Sequence, residues 1–207
     1  MVTTINARPL RADAQRNRDK LLTAATEAFA EHGEDVALET IAARAGVGIG
    51  TLYRHFPSRA ALVVAAYQQE VDALCAAAAD LLATQPADEA LRAWAERFAD
   101  YIATKRAMGD ALRSAVASDA PLFADTRARI LGALRLLLDA GAQTGILRAD
   151  VAPDDVIRVI NGIWYLPGGP EWRDTVGRML DLVIDGLRYG LPDRVQPVMR
   201  DPTPQHQ

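Results

Sequence analysis

The amino-acid sequence predicts an all-α protein. Apolar side chains recur every three or four residues along most of the chain, as they do on one face of an α-helix. No segment shows the alternation of apolar and polar residues that is typical of a β-strand. Glycine and proline stand between the helical segments, where they end helices. With 207 residues, 50% of them apolar, the chain is long enough to bury a substantial core.

Two helices are predicted before the first cluster of glycines. The first covers residues 17–32, where leucine, alanine and phenylalanine recur at helical spacing and stop at Gly33, a typical C-terminal cap. The second is short and runs from residue 38 to about residue 45. We expect Gly46 to end it with a tight turn.

A third short helix and a long fourth one follow. Leu52 and Phe56 stand four residues apart on one face of the third helix, and Pro57 ends it because proline disfavours helical geometry in the residue before it. Ser58 is a good N-cap for the fourth helix, which extends to about residue 84. Its apolar stripe consists of Val63, Tyr67, Val71, Leu74, Ala78 and Leu82.

The rest of the chain is predicted to form a second block of helices. These cover about residues 91–102, 111–118, 123 to near 141–145, 154–166 and 171–189. Asp154 and Asp155 open one of them, because acidic residues are favourable near a helix N-terminus. The sequence LPGGP, residues 166–170, separates the last two.

Composition excludes several classes of protein. The single Cys75 cannot form an intramolecular disulfide, so nothing requires an oxidising compartment. No apolar run approaches the ~20 residues that span a bilayer. The first twenty residues lack the apolar core of a signal peptide. We therefore expect a cytoplasmic protein with no membrane partner.

The net charge of −4 is distributed unevenly. Residues 1–60 carry 8 Lys and Arg against 7 Asp and Glu, whereas the remainder carries 15 against 20. The excess of acid therefore lies outside the first 60 residues, and a local basic face is compatible with the sequence there. Arginine outnumbers lysine 21 to 2, which we interpret as a bias of genome composition.

Residues 45–62, AGVGIGTLYRHFPSRAAL, place three glycines within five residues. Two short helices joined by a tight turn and preceded by a longer helix predict a helix-turn-helix, whose second short helix enters the DNA major groove. In this interpretation Gly46 supplies a positive φ at the turn. Gly48 and Gly50 leave no Cβ where the third helix would approach the sugar-phosphate chain, and they expose backbone N–H groups to phosphate.

The residues of this stretch resemble a known family. The run Ile41-Ala42, Ala45-Gly46-Val47, Gly50-Thr51-Leu52-Tyr53, His55-Phe56, Ser58-Arg59 and Leu62 is similar to the DNA-binding signature of the TetR family of bacterial transcriptional regulators. The resemblance covers roughly residues 15–65. Residues 145–164, GILRADVAPDDVIRVINGIW, resemble more loosely the ligand-binding domain of the SbtR-like branch.

This resemblance implies a domain organisation. It divides the chain into a flexible basic arm (1–14), a helix-turn-helix DNA-binding domain (15–60), a ligand-binding and dimerisation domain (61–191) and a disordered tail (192–207). It also implies a repressor that binds a palindromic operator in double-stranded DNA as a homodimer and is released by a small apolar or amphipathic effector. The last two helices would form the dimer contact through the apolar stripe Val176, Met179, Leu180, Val183 and Leu187.

The resemblance also assigns candidate DNA-binding residues. Base edges or nearby backbone are assigned to Val47, Gly48, Ile49, Gly50 and Thr51, and phosphates to Tyr53, Arg54, His55 and Arg59. Arg16 and Arg18, ahead of the first helix, would reach phosphate or the minor groove, with a solvated tail as an equal alternative. Two positions depart from the family. Gly48 and Ala37 stand where Ser or Thr usually caps a helix, so we expect weaker capping at both helix starts.

Candidate ligand-binding residues lie in the C-terminal part. Aromatic side chains form a possible ring around a cavity, and a few polar ones could orient a ligand: Trp94, Phe98, Tyr101, Met108, Arg113, Phe123, Asn161, Trp164 and Tyr165. Aromatic residues at helical spacing are more often core, and that alternative stays open.

Catalysis is not expected. The only histidines are His32, His55 and His206, and no pair has the spacing of metal ligands. We also find no nucleophile elbow and no phosphate loop, so we expect no cofactor, no metal and no enzyme. Two alternatives stay open: a helical carrier of small molecules with a vestigial DNA-binding head, and an enzyme in the C-terminal bundle.

Overall fold

The computed structural model describes residues 7–118, 120–164 and 171–188. Within these ranges the chain forms nine α-helices and one 3-10 turn, and no strand. The helices are α1 (Ala7–His32), α2 (Leu38–Arg44), α3 (Ile49–His55), α4 (Arg59–Leu82), α5 (Ala87–Ala107), α6 (Gly109–Ser118), α7 (Ala120–Gln143), α8 (Pro153–Trp164) and α9 (Trp172–Arg188), with the 3-10 turn at Gly33–Asp35. The all-α prediction is confirmed.

Helices α1, α2 and α3 form a small N-terminal head with a shared core. Its buried side chains come from all three helices and include Leu21, Leu22, Phe29, Ile41, Leu52 and Phe56. Glu31 of α1 and Arg44 of α2 form an ion pair across the outside of this core, with 2.6 Å between Oε2 and Nη2. The head therefore holds α3 against a rigid base, as predicted from the apolar spacing.

The first helix corrects one prediction. It begins at Ala7 and not at residue 17, so residues 7–14 of the predicted flexible arm are helical. The polar run before residue 17 carries no apolar stripe, which is why apolar spacing did not include it. Residues 1–6 and the predicted tail 192–207 lie outside the described part of the chain, as do residues 166–170.

Helix capping follows the sequence. The Ser58 hydroxyl oxygen accepts a hydrogen bond of 3.1 Å from the Ala61 amide at the start of α4, as predicted. Ala37 and Gly48 precede α2 and α3 in extended conformations, and neither provides a side-chain cap. The two short helices are thus held mainly by their buried faces.

Helix α4 connects the head to the larger C-terminal body. It packs against α1 on one side and against α5, α6 and α7 on the others. Five residues of its predicted stripe, Val63, Tyr67, Val71, Leu74 and Ala78, are buried, and Leu82 is partly buried. Contacts made by one long helix with both parts allow a movement in the body to reach the head.

Helices α8 and α9 close the body. Ion pairs fasten α9 to α5: Arg92 with Asp181 at 2.9 Å, and Arg188 with Asp88 at 2.6 Å. Burial raises the pKa of Asp88, but hydrogen bonds from Arg188 and from backbone amides outweigh it, so the pKa lies below its usual value. No described helix is both long and apolar enough to cross a bilayer.

One glycine of the body is required by packing. A Cβ on Gly141 of α7 would lie 2.8 Å from Cβ of Leu147 and closer still to its Cγ. Leu147 is buried, and its amide and that of Ile146 both donate to the Gly141 carbonyl, at 3.0 and 2.9 Å. The loop after α7 is therefore held against the helix and has little room to move.

We expect Gly141→Ala to destabilise the protein by about 1–3 kcal/mol through overpacking. The matched control is Gly132→Ala in the same helix, where a Cβ meets no atom within 4 Å. That change should stabilise by roughly 0.5–1 kcal/mol, because alanine favours helix interiors. Thermal unfolding of the three proteins checks the prediction. Equal melting temperatures for the two variants would contradict it.

Candidate nucleic-acid interface and ligand cavity

The turn between α2 and α3 has the predicted geometry. Gly46 has a φ of +70°, in the left-handed region that favours glycine. Its amide donates to the Ala43 carbonyl, and the Val47 amide donates to Ala42, both at 3.0 Å. These bonds satisfy carbonyls at the end of α2 and turn the chain directly into α3.

Glycine at positions 48 and 50 is not explained by a positive φ. Gly48 has φ −74° and ψ 152°, an ordinary extended conformation, and its carbonyl accepts from the Thr51 amide at 2.9 Å. Gly50 lies within α3. A Cβ at either position would meet no heavy atom within 4 Å. Neither backbone strain nor internal packing requires glycine here, and the space beside both residues is open to the outside.

One side of α3 faces outward. Gly50, Tyr53 and Arg54 are exposed, with 48% of the Tyr53 surface accessible, and we call these three residues the α3 outer face. Leu52 and Phe56 point the opposite way and are buried at 0% and 2% exposure. The fold thus separates the residues that anchor α3 from those available to a partner.

The other candidate residues on and before α3 are intermediate. Val47 and Ile49 are partly buried against the core, and Thr51 and His55 are also only partly exposed. Gly48 is exposed. Helix α3 therefore offers a narrow surface in which bare backbone alternates with a few side chains.

Three of the arginines assigned to DNA make contacts within the head. Arg59 donates through Nη2 to the Val36 carbonyl, and its guanidinium lies 6.0 Å from the centre of the Phe29 ring. Arg18 lies within α1, not ahead of it, 5.3 Å above the Phe56 ring. These contacts engage both side chains within the head, and their assignment to DNA stays a prediction.

Arg16 also lies inside α1 and not ahead of it. It is exposed and forms an ion pair with Asp13, one turn earlier on the same helix. A position in a rigid helix excludes the flexible arm that was predicted to carry it. We correct that part of its assignment.

A cavity of about 270 Å³ lies in the body between α4, α5, α7 and α8. Seven of its described lining residues are apolar or aromatic and four are polar or charged, so the cavity offers both kinds of contact to a ligand. The described lining residues are Tyr67, Phe98, Tyr101, Ile102, Lys105, Thr126, Arg127, Ile130, Leu131, Ile157 and Asn161.

Three predicted ligand residues line this cavity: Phe98, Tyr101 and Asn161. The hydroxyls of Tyr101 and Tyr67 are hydrogen-bonded at 3.0 Å, and burial together with this bond raises the pKa of Tyr101. Burial therefore keeps the Tyr101 phenol neutral, and the hydrogen-bonded pair lies on the side of the cavity that α4 forms. The Phe98 ring lies 5.6 Å from that of Tyr101.

Two other residues predicted to bind a ligand lie in the core of the body. Trp94 is fully buried, stacks on Phe98 at 5.6 Å and donates from its indole nitrogen to the Leu74 carbonyl at 2.9 Å. Met108 is fully buried in the core. Neither is among the described residues that line the cavity. Both lie in the core, which for Trp94 is the alternative left open for aromatic side chains, and their role in ligand binding stays a prediction.

The last predicted ligand residues fall elsewhere. Arg113 is exposed, pairs with Asp110 and lines a second hollow beside the cavity, which we call the outer hollow. The side chains of Phe123 and Trp164, and all of Tyr165, lie outside the described part of the structure.

Sequence reasoning missed several cavity residues. Tyr67 was assigned only to the apolar stripe of α4, and Thr126, Ile130, Leu131 and Ile157 have ordinary helical spacing. Lys105 had one usable signal, since it is one of only two lysines in the chain. Among the described residues, no cluster of His, Cys, Asp or Glu could hold a metal ion.

The head, with α2 and α3 joined by a tight turn and one side of α3 exposed, is that of a helix-turn-helix DNA-binding protein. Here the head is joined to a helical body. Comparison with protein families agrees. The description "Bacterial regulatory proteins, tetR family" matches residues 21–66, and "Transcriptional regulator SbtR-like, C-terminal domain" matches residues 85–189. The chain belongs to the TetR family of bacterial transcriptional regulators.

Solved structures are similar over most of the chain. A TetR transcriptional regulator from Streptomyces coelicolor is 49% identical with a TM-score of 0.77, and the match covers 83% of this chain and 98% of that one. A TetR regulatory protein from Mycobacterium vanbaalenii is 34% identical with a TM-score of 0.71, over 87% and 100% of the two chains. The helix-turn-helix head and helical C-terminal domain are thus confirmed.

Curated relatives match over a shorter span. The transcriptional repressor KstR of Mycolicibacterium smegmatis is 41% identical over 73 residues, 34% of this chain and 36% of its own. The transcriptional activator FasR of the same organism is 38% identical over 99 residues, 47% of this chain and 45% of its own. The matches thus span about two fifths of the length of these relatives, which include both a repressor and an activator.

Proposed function

We propose that this protein is a repressor that binds a palindromic operator as a homodimer and is released by a small molecule. The observation that carries the DNA-binding part is the open space beside Gly48 and Gly50, next to the exposed Tyr53 and Arg54. A surface without Cβ atoms lets a phosphate chain approach the backbone amides closely. The cavity in the body supports the part played by a small molecule.

The homodimer is supported by exposed apolar side chains on the last two helices. Leu182 of α9 is 73% exposed and Val159 of α8 is 53% exposed, whereas ion pairs to α5 hold α9 on another side. A second copy of the chain would remove both side chains from water. Two-fold symmetry then places the two α3 helices on half-sites about 34 Å apart or a multiple of that distance.

The structure corrects the stripe predicted for that contact. Val176, Leu180 and Leu187 are buried in the protein's own core, and Met179 and Val183 pack partly against it. Among the described apolar residues of α8 and α9, Leu182 and Val159 are the most exposed, and Met179 and Val183 are partly exposed.

Control by a ligand requires a route from the cavity to the head. Helix α5 carries cavity residues and ends at Ala107, and α6 begins at Gly109, whose φ is +48°. Helix α6 contacts the Gly33–Asp35 turn of the head. A ligand that prefers one position of α5 and α6 would thereby favour one spacing of the heads. A ligand with equal affinity for both spacings would change nothing.

The test is DNA binding by the purified protein without small molecules. Fluorescence anisotropy with duplexes from the promoter next to the gene should reveal specific binding that weakens steeply with salt. The preferred duplex should contain an inverted repeat. Absence of any preference over random competitor at low ionic strength would reject this function and favour the carrier alternative.

Tyr53→Phe tests the role of the α3 outer face. If the hydroxyl donates to a phosphate, its loss should weaken binding by about 10- to 100-fold, the range for hydrogen bonds to charged groups. The loss should be similar for all duplexes, because phosphate contacts carry no base information. Anisotropy with operator and mismatched duplexes measures both quantities. A changed base preference would show that Tyr53 reads a base.

A further inference from the structure

We propose that the cavity takes an organic acid with an apolar body, whose carboxylate binds Lys105 while its body lies among Phe98, Tyr101 and Ile130. This inference rests on the proposed control by a ligand, and it names the chemical class of that ligand.

Lys105 lies where the cavity meets the outer hollow. It lines both, together with Ile102 and Asn161. Its ammonium nitrogen lies 6.0 Å from the centre of the Tyr67 ring, so the side chain reaches toward the aromatic wall. The residue is exposed, although desolvation by the surrounding protein lowers the pKa of Lys105. An anion bound here would favour the charged form of the ammonium.

The surroundings of Lys105 contain no matching acid. No aspartate or glutamate is among the described residues that line the cavity or the outer hollow. In the cavity, Arg127 is paired with Asp154 at 2.6 Å, whereas no carboxylate in the described ranges forms an ion pair with Lys105. In the part of the chain that the structure describes, Lys105 lacks an acidic partner, although residues 61–207 carry 20 acidic side chains and 15 basic ones.

The type of residue supports a specific role. Arginine supplies 21 of the 23 basic side chains, so a lysine in the cavity departs from the bias of the whole chain. An ammonium is a compact point charge on a flexible stem, which can follow a single carboxylate into the cavity. The amide of Asn161 lines the same cavity and can donate a second hydrogen bond to the bound anion.

The shape of the site fits an amphipathic acid. The inner cavity has about 270 Å³, near the lower end of ligand sites, which span roughly 300–1,000 Å³. The apolar body would lie inside and the charge would lie at Lys105. Lys105 is four residues, or one turn, before Gly109, where α5 gives way to α6. Contact at Lys105 would therefore act on the helix that reaches the head.

The test uses the full-length protein without DNA. Isothermal titration calorimetry is done with straight-chain and phenyl-substituted monocarboxylic acids of about six to ten carbons, each paired with its neutral primary amide, a size chosen to fit this small cavity. The variants are Lys105→Met and, as a matched control, Lys20→Met, which removes the chain's other lysine from an exposed site on α1. Thermal unfolding confirms that each variant is folded.

We expect at least one acid to bind about ten-fold or more tightly than its amide, as for hydrogen bonds between charged groups. Lys105→Met should abolish this preference by weakening the acid alone, and Lys20→Met should preserve it. The inference is overturned if no acid binds more tightly than its amide, or if Lys105→Met retains the preference.

The two proposals fail separately. Specific DNA binding without any preference for acids would reject only the role of Lys105. Selective binding of acids through Lys105 without preference for any duplex would reject only the proposed repressor.

Discussion

Leu182→Glu is expected to convert the homodimer into monomers and to lower operator affinity by about 10²–10⁴-fold, because the two heads would no longer bind as a linked pair. Leu182 is 73% exposed in the single chain, so glutamate should be tolerated by the fold itself. In the dimer the same carboxylate would be buried at an apolar contact opposite its symmetry mate, which is strongly unfavourable. Analytical ultracentrifugation and anisotropy with the operator measure the two effects.

The control for this variant is Leu136→Glu. Leu136 of α7 is 46% exposed, so the same chemical change is made at an exposed leucine of a different helix. It should leave both the dimer and operator affinity close to those of the parent protein. Dissociation caused by Leu136→Glu and not by Leu182→Glu would place the interface on α7 and refute the proposed contact.

Local signals in the sequence predicted the fold well. Positive φ at Gly46, the Ser58 cap and the stop before Pro57 each depend on a few neighbouring residues, and the structure confirms all three. The start of α1 was missed because its first turns are polar and carry no apolar stripe. Helices can extend beyond the segment that they bury, and periodicity reports only the buried segment.

The direction of a side chain was harder to predict. The apolar stripe on α9 was correctly recognised, but periodicity does not reveal whether such a stripe faces the chain's own core or a second copy. Leu180 is 1% exposed and Leu182 is 73% exposed on the same helix, and the packing of α9 against α5 and α8 determines which one is inside. Arg59 is similar, because its contact with Val36 joins residues 23 positions apart.

The residues that line the cavity were hard to predict for the same reason. Its lining comes from four helices, and each contributes one or two turns that look like ordinary core in sequence. Trp94 and Phe98 are four residues apart on α5, yet Trp94 bonds to the Leu74 carbonyl and Phe98 borders the cavity. The packing of neighbouring helices against α5 decides which of the two side chains borders the cavity. The rarity of lysine was the one compositional signal that distinguished a residue of this site.

Gly50→Ala is expected to separate the stability of the head from its function. Alanine favours a helix over glycine by roughly 0.5–1 kcal/mol, and a Cβ at Gly50 meets no atom of the protein, so the melting temperature should rise slightly. Operator affinity should nevertheless fall by about 10- to 100-fold, because the added methyl group would hold the backbone away from the phosphate chain and disrupt a charged hydrogen bond.

Opposite signs for stability and affinity make this result hard to explain by unfolding. Gly132→Ala on α7 is the control, since it also adds a methyl group in open space on a helix and lies outside the head. It should raise the melting temperature and leave operator affinity unchanged. Unchanged affinity in Gly50→Ala would mean that DNA does not closely approach α3 there, and the open space beside the glycines would lose its proposed role.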